Sequence, residues 1–180
     1  SDSLLGWDGD DSLDGGAGND TLDGGFNNDS LIGGADADTL TGNSGADNFV
    51  YEDPSHGGDS ITDFLSGTDV FVFHSPNFGG LPNGPIEASE FLYDTDGYNE
   101  GLDNYGEHFI FDATLNYLIY DDNGTKTGWT TIARLISGTV LQDDILITGW
   151  TQPPITGTSD NDNLIGTKDA DLIQALAGDD

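Results

Sequence analysis

Large apolar residues recur every nine positions from residue 4 to residue 49: Leu4, Leu13, Leu22, Leu31, Leu40 and Phe49. Residues 6–50 divide without remainder into five nonapeptides, GWDGDDSLD, GGAGNDTLD, GGFNNDSLI, GGADADTLT and GNSGADNFV. Each opens with glycine (Gly6, Gly15, Gly24, Gly33, Gly42) and carries aspartate at its sixth place (Asp11, Asp20, Asp29, Asp38, Asp47). Nine residues are too few for a helical repeat and enough for one turn plus one very short strand. Two nonapeptides therefore make one coil of a flattened parallel β-helix. Glycine opens the turn because its backbone must reach positive φ and come close to whatever fills the loop.

In such a stack every second turn lies above its predecessor. Asp11, Asp29 and Asp47 then form one ladder of carboxylates, and Asp2, Asp20 and Asp38 form the other. Like charges at the strand spacing of about 4.7–4.9 Å repel unless a cation lies between them. The ligands on offer are hard oxygens, carboxylate and backbone carbonyl, in a chain with no Cys and with no His in these turns. That donor set selects calcium over zinc or copper.

These repeats resemble the hemolysin-type calcium-binding repeat of RTX proteins, written G-G-x-G-x-D-x-(large apolar)-x. In that family one turn gives its second and fourth carbonyls and its Asp, and the next turn on the same side adds its first and third carbonyls and its Asp. The resemblance implies one site from Trp7, Gly9, Asp11, Gly24, Phe26 and Asp29. A second would use Gly16, Gly18, Asp20, Gly33, Ala35 and Asp38, and a third Gly25, Asn27, Asp29, Gly42, Ser44 and Asp47. Asp2 with Gly15, Ala17 and Asp20 starts the array as a half-site; Gly34, Asp36 and Asp38, and likewise Gly45 and Asp47, leave half-sites at its end. Trp7 and Asn43 replace the second glycine, and Asn27 and Asp36 the fourth-place glycine, which predicts distorted, weaker turns there.

After Asn48 the pattern changes. Alternating apolar runs at Phe49–Tyr51 and Val70–Phe73 flank Asp59–Leu65, which suits a strand or one helical turn. Asp59, Ile61, Asp63, Phe64, Gly67 and Asp69 are similar to the D-x-I-x-D-F-x-x-G-x-D segment that closes the β-roll in serralysin-type secreted proteins. Asp59 and Asp63 are placed by that likeness to complete the half-sites above Asp38 and Asp47. Residues 75–106 read as loop, with Phe91, Leu92 and Tyr93 as a short apolar cluster; Asp94–Gly101 has the opening of an EF-hand loop but not its frame. Residues 107–149 predict a β-meander, with apolar runs at Phe109–Phe111, Tyr117–Tyr120 and Ile132–Ile136 punctuated by hairpin signals. It is similar to a meander common in secreted RTX proteins, and Asp121, Asp122 and Asn123 sit at its turn, where an Asn-Gly turn or one more calcium fits.

Pro153 and Pro154 mark a short stiff linker, after which the repeat restarts. Gly157 and Gly166 stand first, and Asp162 and Asp171 sixth. By the same carry-over Thr158, Asp160, Asp162, Ala175, Ala177 and Asp180 imply one further site, with Asp171 awaiting a partner. The fold class expected is all-β: a parallel β-roll (1–50), an antiparallel β cap packed on it (51–150), a linker (151–156) and the start of a second roll (157–180). Both ends fall inside repeats, which suggests a piece of a longer chain.

Thirty-four acidic side chains against 3 basic ones give a formal charge of −31, which opposes compaction. Calcium in every site would neutralise charge and tie coils together, so the repeats are expected to be unfolded without metal and folded with roughly three to six ions. They would be ordered outside a cell, at the millimolar affinity common to extracellular modules, about 10⁻⁴ to 10⁻³ M. Nucleic acid and anionic membrane are poor partners for such a surface. No apolar run reaches a membrane span, and the first residues, which already read as part of a repeat, are not expected to be a secretory leader. RTX proteins leave bacteria by type I secretion on a C-terminal signal, which this sequence would not include.

Catalytic signatures are absent: His56, His74 and His108 are scattered, with no H-E-x-x-H and no G-x-S-x-G. The favoured expectation is a non-catalytic calcium-binding module of a larger secreted protein, its partners being calcium and the other modules of its own chain. Two alternatives stand beside it: a calcium-dependent assembly or adhesion module joining copies of itself, and an accessory domain of a secreted enzyme or a sugar binder using aromatics such as Trp129 and Trp150. Ice binding through a flat row of Thr and Asn is disfavoured, because the third places are Asp8, Ala17, Phe26, Ala35 and Ser44.

Overall fold

The computed structural model describes residues 1–74, 77–78, 83–86, 91–95, 109–121, 129–148, 155–156 and 173–174. Successive nonapeptides fold in pairs. β1 (Ser3–Asp8) and β2 (Ser12–Asp14) make the first coil, β3 (Thr21–Phe26) and β4 (Ser30–Ile32) the second, and β5 (Thr39–Ser44) and β6 (Asn48–Tyr51) the third. The closing segment adds a fourth, β7 (Asp59–Ile61) and β8 (Val70–His74). Asp59–Leu65 is thus a strand running into a turn.

The chain then forms β9 (Gly84–Pro85), β10 (Phe91–Asp94), β11 (Phe109–Asp112) and β12 (Tyr117–Asp121), followed by β13 (Trp129–Leu135) and β14 (Ile145–Thr148). β13 lies parallel on β7 and β14 parallel on β8, so these two strands are a fifth coil. One sheet has the order β1-β3-β5-β7-β13-β12-β11-β10 and the other β2-β4-β6-β8-β14-β9. The pairs β11–β12 and β12–β13 are antiparallel, whereas β10 runs parallel to β11.

Register explains why the nine-residue period produces this stack. Leu4 pairs with Leu22, Leu22 with Leu40, Leu40 with Ile61 and Ile61 with Leu135. On the opposite sheet Leu13, Leu31, Phe49, Phe71 and Ile145 align in the same way. Two apolar columns therefore line the interior between the sheets, and from the second coil upward their members are buried. Toward the cap the core turns aromatic: Phe64 stacks on Phe71 at 4.7 Å, and Phe73 meets Phe109 of the meander at 4.6 Å. Those rings bury large apolar area and fuse roll and meander into one core.

The β11–β12 turn is held by Asp112, whose Oδ1 accepts from the N–H groups of Thr114 and Leu115 at 2.8 and 3.0 Å, with Asn116 at φ 59°. Ser1–Gly149 forms one compact unit. In the other, residues 150–180, β15 (Ile155–Thr156) pairs parallel with β16 (Ile173–Gln174). Ile155 faces Ile173, an 18-residue offset equal to that between Leu4 and Leu22.

Truncating Phe71, fully buried and touching Phe49, Phe64 and Phe73, removes the joint between repeats and cap. Phe71→Ala should cost about 3–5 kcal/mol, read as a lowered melting temperature in saturating calcium; a shift of under a degree would refute the common core.

Candidate metal centre

The turns at the two edges of the roll stack their aspartates directly. Along one edge the N–H of each aspartate donates to Oδ1 of the aspartate in the next coil: Asp11 to Asp29 at 2.8 Å, Asp29 to Asp47 at 2.9 Å and Asp47 to Asp69 at 3.1 Å. Along the other, Asp2 donates to Asp20 at 2.5 Å, Asp20 to Asp38 at 2.7 Å and Asp38 to Asp59 at 2.9 Å. One oxygen of Asp20, Asp29, Asp38, Asp47, Asp59 and Asp69 is thereby fixed. Oδ2 of Asp11, Asp20, Asp29, Asp38 and Asp47 is buried with no hydrogen-bond partner among the described residues. Asp20, Asp29, Asp38, Asp47 and Asp59 are each no more than 3 % exposed.

These oxygens point at the glycine that opens their own repeat. A Cβ on Gly6 would stand 2.7 Å from Asp11 Oδ2 and 2.3 Å from the carbonyl oxygen of Gly24. On Gly15 it would stand 2.8 Å from Asp20 Oδ2 and 2.7 Å from the Gly33 oxygen. An anionic oxygen and a carbonyl oxygen from the coil above thus converge on a space that only glycine leaves open. Both pairs belong to the ligand sets that the resemblance implied. At Gly24, Gly33 and Gly42 the same space is bounded by Oδ2 of Asp29, Asp38 and Asp47.

The other implied carbonyls sit in the same turns. The oxygens of Gly16, Phe26, Ala35 and Ser44 accept N–H groups of Ala35, Gly9, Gly18 and Asn27 at 2.7, 3.2, 3.1 and 2.8 Å, each keeping a second lone pair. Ala17 bridges Ala35 in parallel. The oxygens of Trp7, Gly16 and Asn27 lie where a side chain on Gly25, Gly34 or Gly45 would stand. The four substituted positions keep the backbone of the repeat instead of distorting it. Trp7, Asn27, Asp36 and Asn43 have φ of 72°, 78°, 79° and 66°, the left-handed region also held by Gly9, Gly16, Gly18, Gly25 and Gly34. Neighbouring turns above and below enforce it, and Asn and Asp tolerate that region at low cost.

The end of the ladder differs from the expectation at one residue. Asp59 stands over Asp38, but Asp69, not Asp63, stands over Asp47. Asp63 instead closes the outer edge of the turn below, its carboxylate accepting from the N–H groups of Gly42 and Asn43 at 3.1 and 2.8 Å. Both oxygens of Asp69 are engaged, Oδ2 by the Leu65 N–H at 2.7 Å, which makes it a closing cap. The signal for Asp69 was in the closing motif, but the spacing to Asp47 is 22 residues instead of 18, so repeat counting passed over it. Asp144, buried beside it, accepts from Ser66 Oγ and the Gly67 N–H at 2.6 and 2.8 Å. Thr158, Asp160, Asp162, Asp171, Ala175, Ala177 and Asp180 lie outside the described residues, as do Asp122, Asn123 and His108.

Burial is the main cause of the electrostatic strain. It raises the pKa of Asp29, Asp38 and Asp47, opposed by one backbone N–H each and reinforced by the stacked aspartates. Asp59 is pushed up to about 7 by burial, against the Asp38 N–H and the Tyr51 hydroxyl, which favour its charge. Asp69 is raised for the same first reason. Desolvated carboxylates of this kind require a counter-charge or a proton. No three His, Asp or Glu side chains cluster among the described residues. The oxygens available are carboxylate pairs and carbonyls, which fits a hard divalent cation of flexible coordination.

A parallel roll with paired acidic turns on both edges is a calcium-binding repeat architecture. Residues 1–22, 23–52 and 156–180 match the RTX calcium-binding nonapeptide repeat, in four copies. The match leaves residues 53–155 uncovered. Comparison with curated proteins gave no match.

Two outcomes follow. Gly15 does not need positive φ, so Gly15→Ala crowds Asp20 Oδ2 and the Gly33 carbonyl without backbone strain; the calcium midpoint of folding should rise about tenfold, equal to ~1.4 kcal/mol, while Leu13→Ala, a packing change outside the turn, lowers stability in saturating calcium too, and an unchanged midpoint for Gly15→Ala would show that no ion uses that space. In chelator, the folded roll holds more protons than the unfolded chain between pH about 4, the unfolded aspartate value, and about 7, the value of Asp59. Stability without metal should therefore increase as pH falls through that window, and with calcium it should decrease, because the ligands must be charged. The β signal followed against pH in chelator, and the denaturant midpoint against pH in calcium, check the opposite slopes.

Proposed function

We propose that this chain is a non-catalytic, calcium-dependent folding module of a larger secreted bacterial protein. The observation that carries the reading is the pair of buried aspartate ladders, five of whose inner oxygens meet no donor among the described residues. At a net charge of −31 the polypeptide has too few cations of its own to neutralise them. Calcium, when bound, supplies the missing positive charge between adjacent turns.

The residues of the chain do the rest. Gly6 and Gly15 keep the space open, Asp11 and Asp20 present an anionic oxygen to it, and the Gly24 and Gly33 carbonyls close it from the coil above. Because each such space spans two coils, ordering one coil orders the next, and the roll forms cooperatively. The consequence for the whole protein is a segment disordered where calcium is scarce and rigid where it is millimolar. Folding after export, which draws the emerged chain outward, follows from that difference. No helix among the described residues is long and apolar enough to cross a membrane.

In this reading residues 1–50 are the repeat part of the roll, 51–150 the cap region, in which β7, β8, β13 and β14 continue the stack as a fourth and fifth coil, 151–156 a linker and 157–180 the opening of a second roll. The 18-residue register between Ile155 and Ile173 supports the last assignment. The likeness of the closing segment to that of serralysin-type proteins supports the cap. Roughly three to six ions are expected from the number of facing turns.

A calcium titration followed by far-ultraviolet circular dichroism tests the reading. The β signal should be absent in excess chelator and should appear cooperatively at calcium between about 10⁻⁴ and 10⁻³ M, with no response to magnesium. A full β signal in chelator near neutral pH would overturn it.

A further inference from the structure

On the outer face of the β1-β3-β5 sheet, Trp7, Phe26 and Leu5 are 73 %, 64 % and 55 % exposed. Together with Asp23, Gly25 and Asn43 they line a half-open pocket of about 390 Å³, within the range of about 300–1,000 Å³ typical of small-ligand sites. The register builds it. Trp7 pairs with Gly25 and Gly25 with Asn43, so the Gly25 backbone is a floor between two residues that stand two strand spacings, about 9.5 Å, apart.

Two features set this patch apart from chance exposure. A bulky aromatic at φ 72° is a backbone outlier, and here it occupies a place where the repeat uses glycine and buries little of its surface. Across the floor, Asn43 Nδ2 donates to Asp23 Oδ1 at 2.6 Å, while the Asn43 N–H is held by Asp63 at 2.8 Å. That pairing fixes a fork with one remaining amide hydrogen and two remaining acceptor oxygens, Asn43 Oδ1 and Asp23 Oδ2.

We infer that this pocket binds a neutral saccharide. The apolar face of a pyranose ring lies against Trp7 or Phe26, and adjacent hydroxyls meet the Asp23–Asn43 fork, which offers both a donor and acceptors. A purely cationic ligand would leave the amide hydrogen unmatched, and the Asp23 carboxylate in the fork together with the net charge of −31 disfavours acidic sugars. The site needs only the folded roll, and it extends the folding role to recognition of a glycan.

The test is tryptophan quenching and calorimetry on the full chain in millimolar calcium, with neutral tetrasaccharides of glucose, galactose and N-acetylglucosamine as probes, and with tetramethylammonium and a lysine peptide as cationic controls. At least one saccharide should bind saturably and independently of salt. Asn43→Gly, which restores the glycine of the repeat, and Asp23→Ala should each weaken it about tenfold, as expected for losing a hydrogen bond to a charged network. Circular dichroism in calcium confirms that each variant is folded, which separates loss of the pocket from loss of the roll. Binding of none of the saccharides, binding that both variants leave intact, or binding of the cations alone with steep salt dependence would overturn the inference.

Discussion

Stacked, desolvated aspartates are the constraint on which the rest of this structure depends. Each coil places a carboxylate directly beneath that of the next; from the second coil upward one oxygen is satisfied by a backbone N–H, and in the repeats the other is directed into a space lined by glycine. Burial and mutual repulsion both oppose the charged form. In the repeats these inner oxygens meet no donor among the described residues, so the turns leave room for a counter-charge.

That dependence accounts for the division of labour along the chain. Apolar columns from Leu4 to Leu135 and from Leu13 to Ile145 hold the two sheets together, but each repeat contributes only one large apolar side chain to them. A core so thin cannot offset the charge at its edges. At the far end the balance changes: aromatic rings replace leucines, Asp69 and Asp144 find N–H and hydroxyl donors in the protein itself, and the roll closes without relying on the repeat. Along the Asp69 edge, donors of the protein itself thus take over from the unpartnered oxygens of the repeats.

The outer face shows what the repeat leaves free. Because the inner positions are committed to packing and the turn positions to oxygen ligands, the outward places of β1, β3 and β5 can vary without disturbing the stack. Trp7, Phe26, Asp23 and Asn43 occupy those places, and their proximity is a product of coil stacking, since they are up to 36 residues apart in sequence.

The sequence alone determined the architecture of the first three coils and the chemistry of their turns. A strict period carries that information, because every ninth residue repeats the same local demand: glycine to turn, aspartate to present carboxylate oxygen, leucine to fill. The left-handed backbone at Trp7 and Asn43 was not legible in this way, since substitution of glycine argued for distortion, and it is the pairing with Gly25 that holds both in place. The exchange of Asp63 for Asp69 was hidden by a loop of altered length. The fifth coil was hidden most completely: β13 and β14 return to the stack after a long excursion, with no repeat to mark them. Local period fixes what each turn does, whereas contacts made across a long loop are set by which surface remains unpaired, and that only the folded chain decides.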